Sequence, residues 1–401
     1  MTRGLSVFFE NYLVKESIFL NKSFLQNSYT PEDIPHREEQ IDFIANVLAP
    51  ALRMEKPSNL FLYGKTGTGK SVCSQFVISQ IQKIAVEKKI PLKTYYLNCK
   101  LKRVADTEYR LLAQLARGFG KEVPATGLPT DEIYKLFIDE IDKEKQLLIL
   151  ILDEIDQLVN KAGDEILYNL TRLNTELKNC QLSIIGISNN LIFIDNLDPR
   201  VKSSLSEEEL VFPPYNALQL QDILKQRAKL AFKPGAVGDG VIEKCSAYAA
   251  REHGDARRAL ELLRVAGELA ERRGHVIIET KHLDEAEEKI ERDRVLDIVK
   301  TQPKQFQVTL YSIFNICMSN EKEIFTGDIY DFYKKVCLKT GLKPLTQRRV
   351  SDIIAELDMF GIINAKVISK GRYGRTREIS LAIPQSTVPK LNDLLKEGIG
   401  L

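Results

Sequence analysis

Residues 61–71 read "FLYGKTGTGKS". An apolar run stops at Gly64, four residues intervene, and Gly69, Lys70 and Ser71 complete the spacing GxxxxGK[ST]. Glycines at these positions let backbone N–H groups curl around phosphate oxygens. The following stretch, "SVCSQFVISQIQKIAVEKK" (71–89), patterns as a helix whose positive N-terminal end faces the same anion. Gly64, Lys65, Thr66, Gly67, Thr68, Gly69, Lys70, Ser71 and Val72 are therefore read as a nucleotide phosphate loop, with Lys70 on the terminal phosphates and Ser71 as a ligand of Mg²⁺. A glycine-rich turn alone would satisfy the letters. The strand before it and the helix after it are the context the motif demands.

Such a loop calls for a second signature, an apolar strand ending in an acid. "LLILILDE" (147–154) supplies it. Asp153 is expected to hold Mg²⁺ through water, and Glu154 to polarise an attacking water. Charges that leave a buried strand are often merely solvated, so this pair takes its meaning from the phosphate loop. Three further residues suit the stabilisation of departing charge. Asn189 ends the strand-like "SIIGISNN" and could orient the lytic water or the γ-phosphate. Arg200, in "LDPRVKSSL", sits on a loop where a guanidinium can act across a subunit boundary. Arg257, in "GDARRAL", opens a helix that reaches back toward the phosphates. Taken singly, each reads equally as a surface or capping residue.

Working outward, residues 1–212 alternate apolar runs ("NLFLYG", "KTYYLNC", "QLLILILDEID", "QLSIIGISNN") with amphipathic helical segments, the pattern of an α/β fold with a parallel sheet and helices on both faces. Pro213 and Pro214 mark a boundary. Residues 213–299 then read as an all-helical domain. Residues 300–401 read as two helices, a third from Leu345 to about Phe360, and two strand-like runs, "IINAKVIS" and "REISLAI": the outline of a winged helix-turn-helix.

Charge follows the same division. The chain carries 57 Lys and Arg against 55 Asp and Glu, yet residues 300–401 hold 16 basic and 10 acidic residues, a basic tail domain suited to a polyanion. Thr346, Gln347, Arg348 and Arg349 head the third helix, the end that enters a major groove, where Arg pairs with guanine and Gln with adenine. At least one of the two arginines is expected to contact phosphate alone. Between the strand-like runs lies "KGRYGRTRE" (370–378), whose Lys370, Arg372, Tyr373, Arg375 and Arg377 fit the tip of a wing in a narrow minor groove. A solubilising basic turn is the plainer alternative. The six cysteines are scattered, without CxxC pairs, and no apolar run approaches the length of a bilayer span; both point to a cytoplasmic protein with no membrane partner.

Phosphate loop, acid pair, strand-terminal Asn, loop Arg and helical-domain GxAR occur in the order of an AAA+ ATPase with base and lid. With "YTPEDIPHREEQIDFI" (29–44), "LDPRVKSSL" and "GRYGRTREI" added, the chain resembles, over essentially its whole length, the archaeal origin-recognition and cell-division-control replication initiators. The resemblance implies an AAA+ base (1–212), a lid (213–299) and a winged-helix DNA-binding domain (300–401). It places Ile34, Pro35 and Arg37 near the adenine of ATP or ADP, with Tyr215 and Arg227 bordering the nucleotide; hinge packing explains Tyr215 equally well. Residues 101–131 correspond to a helical insertion that approaches DNA, although ordinary helix-surface charge accounts for Lys102, Arg103, Arg110, Arg117 and Lys121 as well. Asn190 stands where the family often has Asp.

The implied function is an ATP-regulated initiator that binds double-stranded origin DNA, associates with the nucleoid, helps recruit the replicative minichromosome maintenance helicase together with other initiator subunits, and uses slow hydrolysis as a switch. The alternative is an AAA+ or related P-loop transcriptional regulator or transposition helper that uses the winged helix as a DNA anchor.

Overall fold

The computed structural model describes residues 9, 16–26, 29–100, 107–124, 127–193, 197–205, 207–319, 324–369, 375–383 and 387–401. The chain divides into two compact units, 1–283 and 284–401.

The first unit is built on a five-stranded, all-parallel sheet: β1 (Leu60–Tyr63), β2 (Leu92–Asn98), β3 (Gln146–Asp153), β4 (Cys180–Ser188) and β5 (Glu208–Val211), in the order β2-β3-β4-β1-β5. Strand β3 is buried at every position, which explains its unbroken apolar run. Successive side chains point to opposite faces. Leu148, Leu150 and Leu152 accordingly enter one core with α3 (Glu108–Gly118), α4 (Thr130–Ile141), α5 (Ile155–Ala162) and α6 (Glu165–Arg172), while Leu147, Ile149 and Ile151 enter another with α1 (Glu38–Leu48) and α2 (Lys70–Glu87). Register aligns Asn98 with Asp153, and Tyr63 with both Ser188 and Val211. The carboxyl ends of the strands therefore form one rim, where a parallel α/β sheet binds ligands.

The same unit contains α7 (Pro199–Leu205) and the helices α8 (Ala217–Ala231), α9 (Val241–Arg251) and α10 (Ala256–Arg273). Asn216 heads α8 with a capping box closed by Gln219, and Asp255 caps α10 through the N–H groups of Arg257 and Arg258. The segment 16–26 straps across these helices: Leu20 N–H donates to the Ala231 carbonyl at 2.8 Å, and Lys233 N–H to that of Ile18 at 2.9 Å. Of the expected insertion, α3 buries Leu111, Leu112, Leu115 and Ala116. Arg117 donates from Nε and Nη2 to the Val123 carbonyl, while Lys102 and Arg103 lie outside the described residues.

Helix α11 (Thr280–Thr301) carries the chain into the second unit, which contains α12 (Lys304–Ser319), β6 (Ile324–Phe325), α13 (Thr326–Thr340), α14 (Gln347–Met359), β7 (Ile363–Ser369), β8 (Arg375–Leu381) and α15 (Val388–Ile399). The three strands pair antiparallel in the order β6-β8-β7. Val350, Ile353, Ile354 and Leu357 form the buried stripe of α14 at helical spacing. Two elements exceed the expected three helices and hairpin. Strand β6 has two residues, too few for a period to register, and α15 closes the core with Val388, Leu391, Leu395 and Ile399. Among the described residues, no helix is long and apolar enough to cross a membrane.

Candidate functional site

A cavity of about 340 Å³ opens at the rim of the sheet, lined in part by Gly67, Gly69, Lys70, Ser71, Val72, Asp153, Glu154, Asn189, Tyr215, Arg227 and Arg257. The phosphate loop forms one wall. Gly67 has φ 73° and Gly69 φ 98°, conformations that side-chain-bearing residues rarely adopt. A Cβ on Gly67 would lie 1.7 Å from Asp255 Oδ1, and one on Gly69 2.9 Å from the Tyr215 hydroxyl, so the loop is glycine-rich for reasons of space as well as torsion. Thr68 Oγ1 donates to the Lys65 carbonyl at 2.8 Å. Lys70 folds its ammonium onto the loop, donating to the carbonyls of Gly64 and Lys65, both at 2.8 Å. Burial pushes its pKa down to about 8; Asp153 pulls it up and Arg257 pushes it further down.

The acids stand opposite. Asp153 is 6% exposed. Its Oδ1 accepts the Glu154 N–H at 2.8 Å and its Oδ2 the Tyr96 hydroxyl at 2.5 Å. Glu154 occupies the left-handed region at φ 54°, a strained conformation for a non-glycine residue at a strand-to-helix corner, and its Oε2 lies 3.5 Å from Lys100 Nζ. Buried Asp156 accepts the Ser188 hydroxyl at 3.0 Å, which fixes the end of β4 just before Asn189. Asn190 is exposed and uses its side-chain oxygen locally, accepting the Ile192 N–H at 3.1 Å. Ser71 and Asp153 line the same cavity and offer hydroxyl and carboxylate oxygens, hard donors that suit Mg²⁺.

Ile34, Pro35, Tyr29, Ile223 and Leu260 add apolar surface to the same cavity, among the polar Thr30, Asp33 and Gln226. Arg227 is 7% exposed, its guanidinium lies 4.4 Å from the Tyr29 ring centroid, and Nη1 is buried with no hydrogen-bond partner among the described residues. A buried donor of this kind is costly unless something completes it. Arg37 does not line the cavity. It is 2% exposed and donates from Nε to the Thr68 carbonyl at 2.9 Å, from Nη1 to His36 at 3.0 Å and from Nη2 to Pro213 at 2.6 Å, stacked 3.8 Å over the ring of Tyr215. Tyr215 thus both packs at the hinge and faces the cavity.

The N-terminus of α10 closes over the loop. Ala256 N–H donates to the Gly67 carbonyl at 3.2 Å, and exposed Arg257 reaches the cavity. Arg200 stands outside it, bidentate to Asp198 at 3.0 Å from both Nε and Nη2 and 5.1 Å from the Tyr168 ring.

In the second unit Thr346 caps α14, its side chain accepting the Arg349 N–H, and Thr346, Gln347, Arg348 and Arg349 are all exposed. Arg349 lies 3.7 Å from Asp352 and 3.8 Å from Glu356. Strand pairing runs to Ser369 and Arg375, so Arg375 and Arg377 belong to β8. Arg377 Nη1 donates to the Ser351 carbonyl at 2.7 Å, tying β8 to α14. Lys370, Arg372 and Tyr373 lie outside the described residues.

Sequence reading passed over Tyr96, Lys100, Tyr29 and Asp255. Of these, Asp255 had a usable signal, as an N-cap letter before Arg257.

A parallel sheet with a phosphate loop and acid pair on its rim, a helical lid and a winged helix together define an AAA+ nucleotide-binding ATPase module joined to a winged-helix domain. Family models agree segment by segment: an AAA domain over 53–192, a Cdc6 AAA+ ATPase-type lid domain over 221–288, and a CDC6 C-terminal winged helix domain over 297–390. The chain is 55% identical to the ORC1-type DNA replication protein of Thermococcus onnurineus, covering 94% of this chain and 92% of that one, and 51% identical to ORC1-type DNA replication protein 1 of Archaeoglobus fulgidus, covering 95% and 92%. The chain belongs to the family of archaeal ORC1-type DNA replication proteins. Among solved structures it is similar to the Aeropyrum pernix ORC1 protein in complex with DNA, with a TM-score of 0.84 and 45% identity over 96% of this chain and 98% of that one. The Pyrobaculum aerophilum Cdc6p structure, at 22% identity, 96% and 99% coverage and a TM-score of 0.60, shares the fold.

Proposed function

We propose that this protein is an ATP-controlled replication initiator that binds double-stranded origin DNA through its winged helix and AAA+ body, at the nucleoid, and helps recruit the replicative minichromosome maintenance helicase. Slow ATP hydrolysis resets it. The observation that carries the nucleotide part is the meeting of Lys70, Asp153, Glu154, Asn189 and Arg257 around one cavity that Ile34, Pro35, Ile223 and Leu260 also line. DNA binding draws its support from the exposed, cationic head of α14 and from the likeness to an ORC1 protein seen with DNA.

In this reading Lys70 exchanges its two loop carbonyls for the terminal phosphates of ATP, and the N–H groups of the loop hold the phosphate oxygens. The apolar side chains Ile34, Pro35, Ile223 and Leu260 take the adenine, with Tyr215 and Arg227 at its border. Glu154 polarises the attacking water, Asn189 orients it, and Arg257 stabilises the charge that develops on the phosphates. Ser71 and Asp153 are the residues that hold Mg²⁺, which when bound offsets phosphate charge as a Lewis acid. Arg200, which does not line its own cavity, acts on the nucleotide of a neighbouring initiator subunit.

Crosslinking followed by genome-wide mapping, with footprints on candidate origins in ATP and in ADP, tests the reading. Enrichment at replication start points and a nucleotide-dependent footprint are expected. Enrichment at promoters alone would favour a transcriptional regulator and overturn the initiator role.

A further inference from the structure

We infer that Tyr96 is a positioning residue for the divalent cation of the nucleotide site: its hydroxyl holds the Asp153 carboxylate in the orientation the metal's water ligands need. The inference rests on the nucleotide reading above and extends it to a residue outside the phosphate loop and the acid pair. Tyr96 lies on β2, the strand beside β3 in the sheet, opposite Ile151 in register and one strand period before Asn98, which is opposite Asp153. Tyr96, Asn98 and Asp153 all line the cavity. Tyr96 is 39% exposed, and its hydroxyl meets Asp153 Oδ2 at 2.5 Å. Oδ1 is meanwhile held by the Glu154 N–H at 2.8 Å. A carboxylate gripped at both oxygens has its plane set before any metal arrives. Each oxygen keeps a second lone pair for a water bound to the cation. Outer partners that orient metal-binding groups commonly contribute roughly 10- to 100-fold in metal affinity.

The test is Tyr96→Phe in the full chain, which keeps the ring and removes only the hydroxyl. Tyr95→Phe is the control, because Tyr95 donates to the Gln114 carbonyl and packs in the core on the other side of the sheet. ATP binding is measured by calorimetry in EDTA and across an Mg²⁺ titration, and Mn²⁺ occupancy by electron paramagnetic resonance. For Tyr96→Phe the half-saturating metal concentration should rise roughly tenfold while metal-free nucleotide affinity stays within about twofold of the parent. Tyr95→Phe should change neither. An unchanged or tighter metal titration overturns the inference, as does an equal loss with and without metal, which would make Tyr96 a nucleotide contact or a folding residue. If the parent protein binds ATP without any metal dependence, the metal part of the proposed function fails and this inference with it.

Discussion

Arg37 donates through Nε to the Thr68 carbonyl at 2.9 Å, across 31 positions of sequence. A residue expected beside the adenine thus serves as a buried clamp between the N-terminal segment and the phosphate loop, and its Nη2 extends the clamp to the Pro213 carbonyl at the hinge. Arg37→Ala leaves carbonyl oxygens at three places without their donor and removes the stack on Tyr215. A loss of about 3 kcal/mol is expected. Arg37→Lys should recover less than half, because one ammonium cannot span a planar fork. Urea denaturation reports the midpoints; an Arg37→Ala midpoint equal to the parent's would show that Arg37 does not clamp these segments.

Gly67 and Asp255 form a second joint, between loop and lid. Adding a methyl at Gly67 meets two obstacles, φ 73° and the Asp255 carboxylate. Gly67→Ala should therefore weaken ATP binding by at least roughly tenfold. In Gly67→Ala with Asp255→Ala the steric part is relieved and the torsional part remains. The two substitutions should couple, the pair binding ATP better than the sum of the single effects allows. Strict additivity in calorimetric titrations would show that lid and loop do not meet here in solution.

Lys70, Asp153 and Glu154 were legible because each lies inside a contiguous motif whose spacing encodes the geometry. Arg37 and Tyr96 were not, because their meaning depends on partners 31 and 57 positions away that only strand order and register bring near. The sheet itself was readable as parallel and doubly covered from the unbroken apolar run of β3. The order β2-β3-β4-β1-β5 was not, since no local pattern records which strand lies beside which. The cationic run at the wing shows the same limit: composition groups Arg375 and Arg377 with Arg372, whereas pairing puts them in β8.

The strap at 16–26 is fastened by Glu271, whose oxygens accept from Ser17 Oγ at 2.5 Å and from Lys22 Nζ at 3.0 Å. Burial alone would raise its pKa, but these two donors hold it below the ordinary value of 4.5. A carboxylate whose folded pKa is depressed contributes stability above its unfolded value and loses it as pH falls through the folded one. Protection of the amides of Leu20 and Lys233, corrected for intrinsic exchange, should therefore fall as pH drops below 4.5. Glu16, paired with Lys233 at 2.9 Å, titrates nearby in the same direction. Glu271→Gln separates the two, and should lower protection at neutral pH and flatten most of the acid dependence. If the acid profile survives in Glu271→Gln, Glu16 or another group controls the strap.

Arg348 and Arg377 carry the same charge in the same domain, yet their surroundings predict opposite phenotypes. Arg348 is exposed in the first turn of α14, whereas Arg377 is half-buried and donates to the Ser351 carbonyl at 2.7 Å. An exposed cation that meets a phosphate releases about one counterion, so Arg348→Ala should reduce the slope of log affinity against log salt by about 0.9 and leave the unfolding midpoint unchanged. Removing Arg377 takes away a charge-assisted bond to the Ser351 carbonyl, which lies within the helical ladder of α14, and frees β8 from α14. Arg377→Ala should cost about 1–3 kcal/mol of stability. Its DNA affinity should fall by a factor that varies little with salt, because geometry is lost and no phosphate contact need be. Filter binding from low to high salt, with chemical denaturation of the same preparations, distinguishes the two. A salt slope that changes equally in both variants, with both midpoints intact, would mean that Arg377 leaves Ser351 and joins the DNA contact, and that β8 is held to α14 by its buried Ile379 rather than by its arginine.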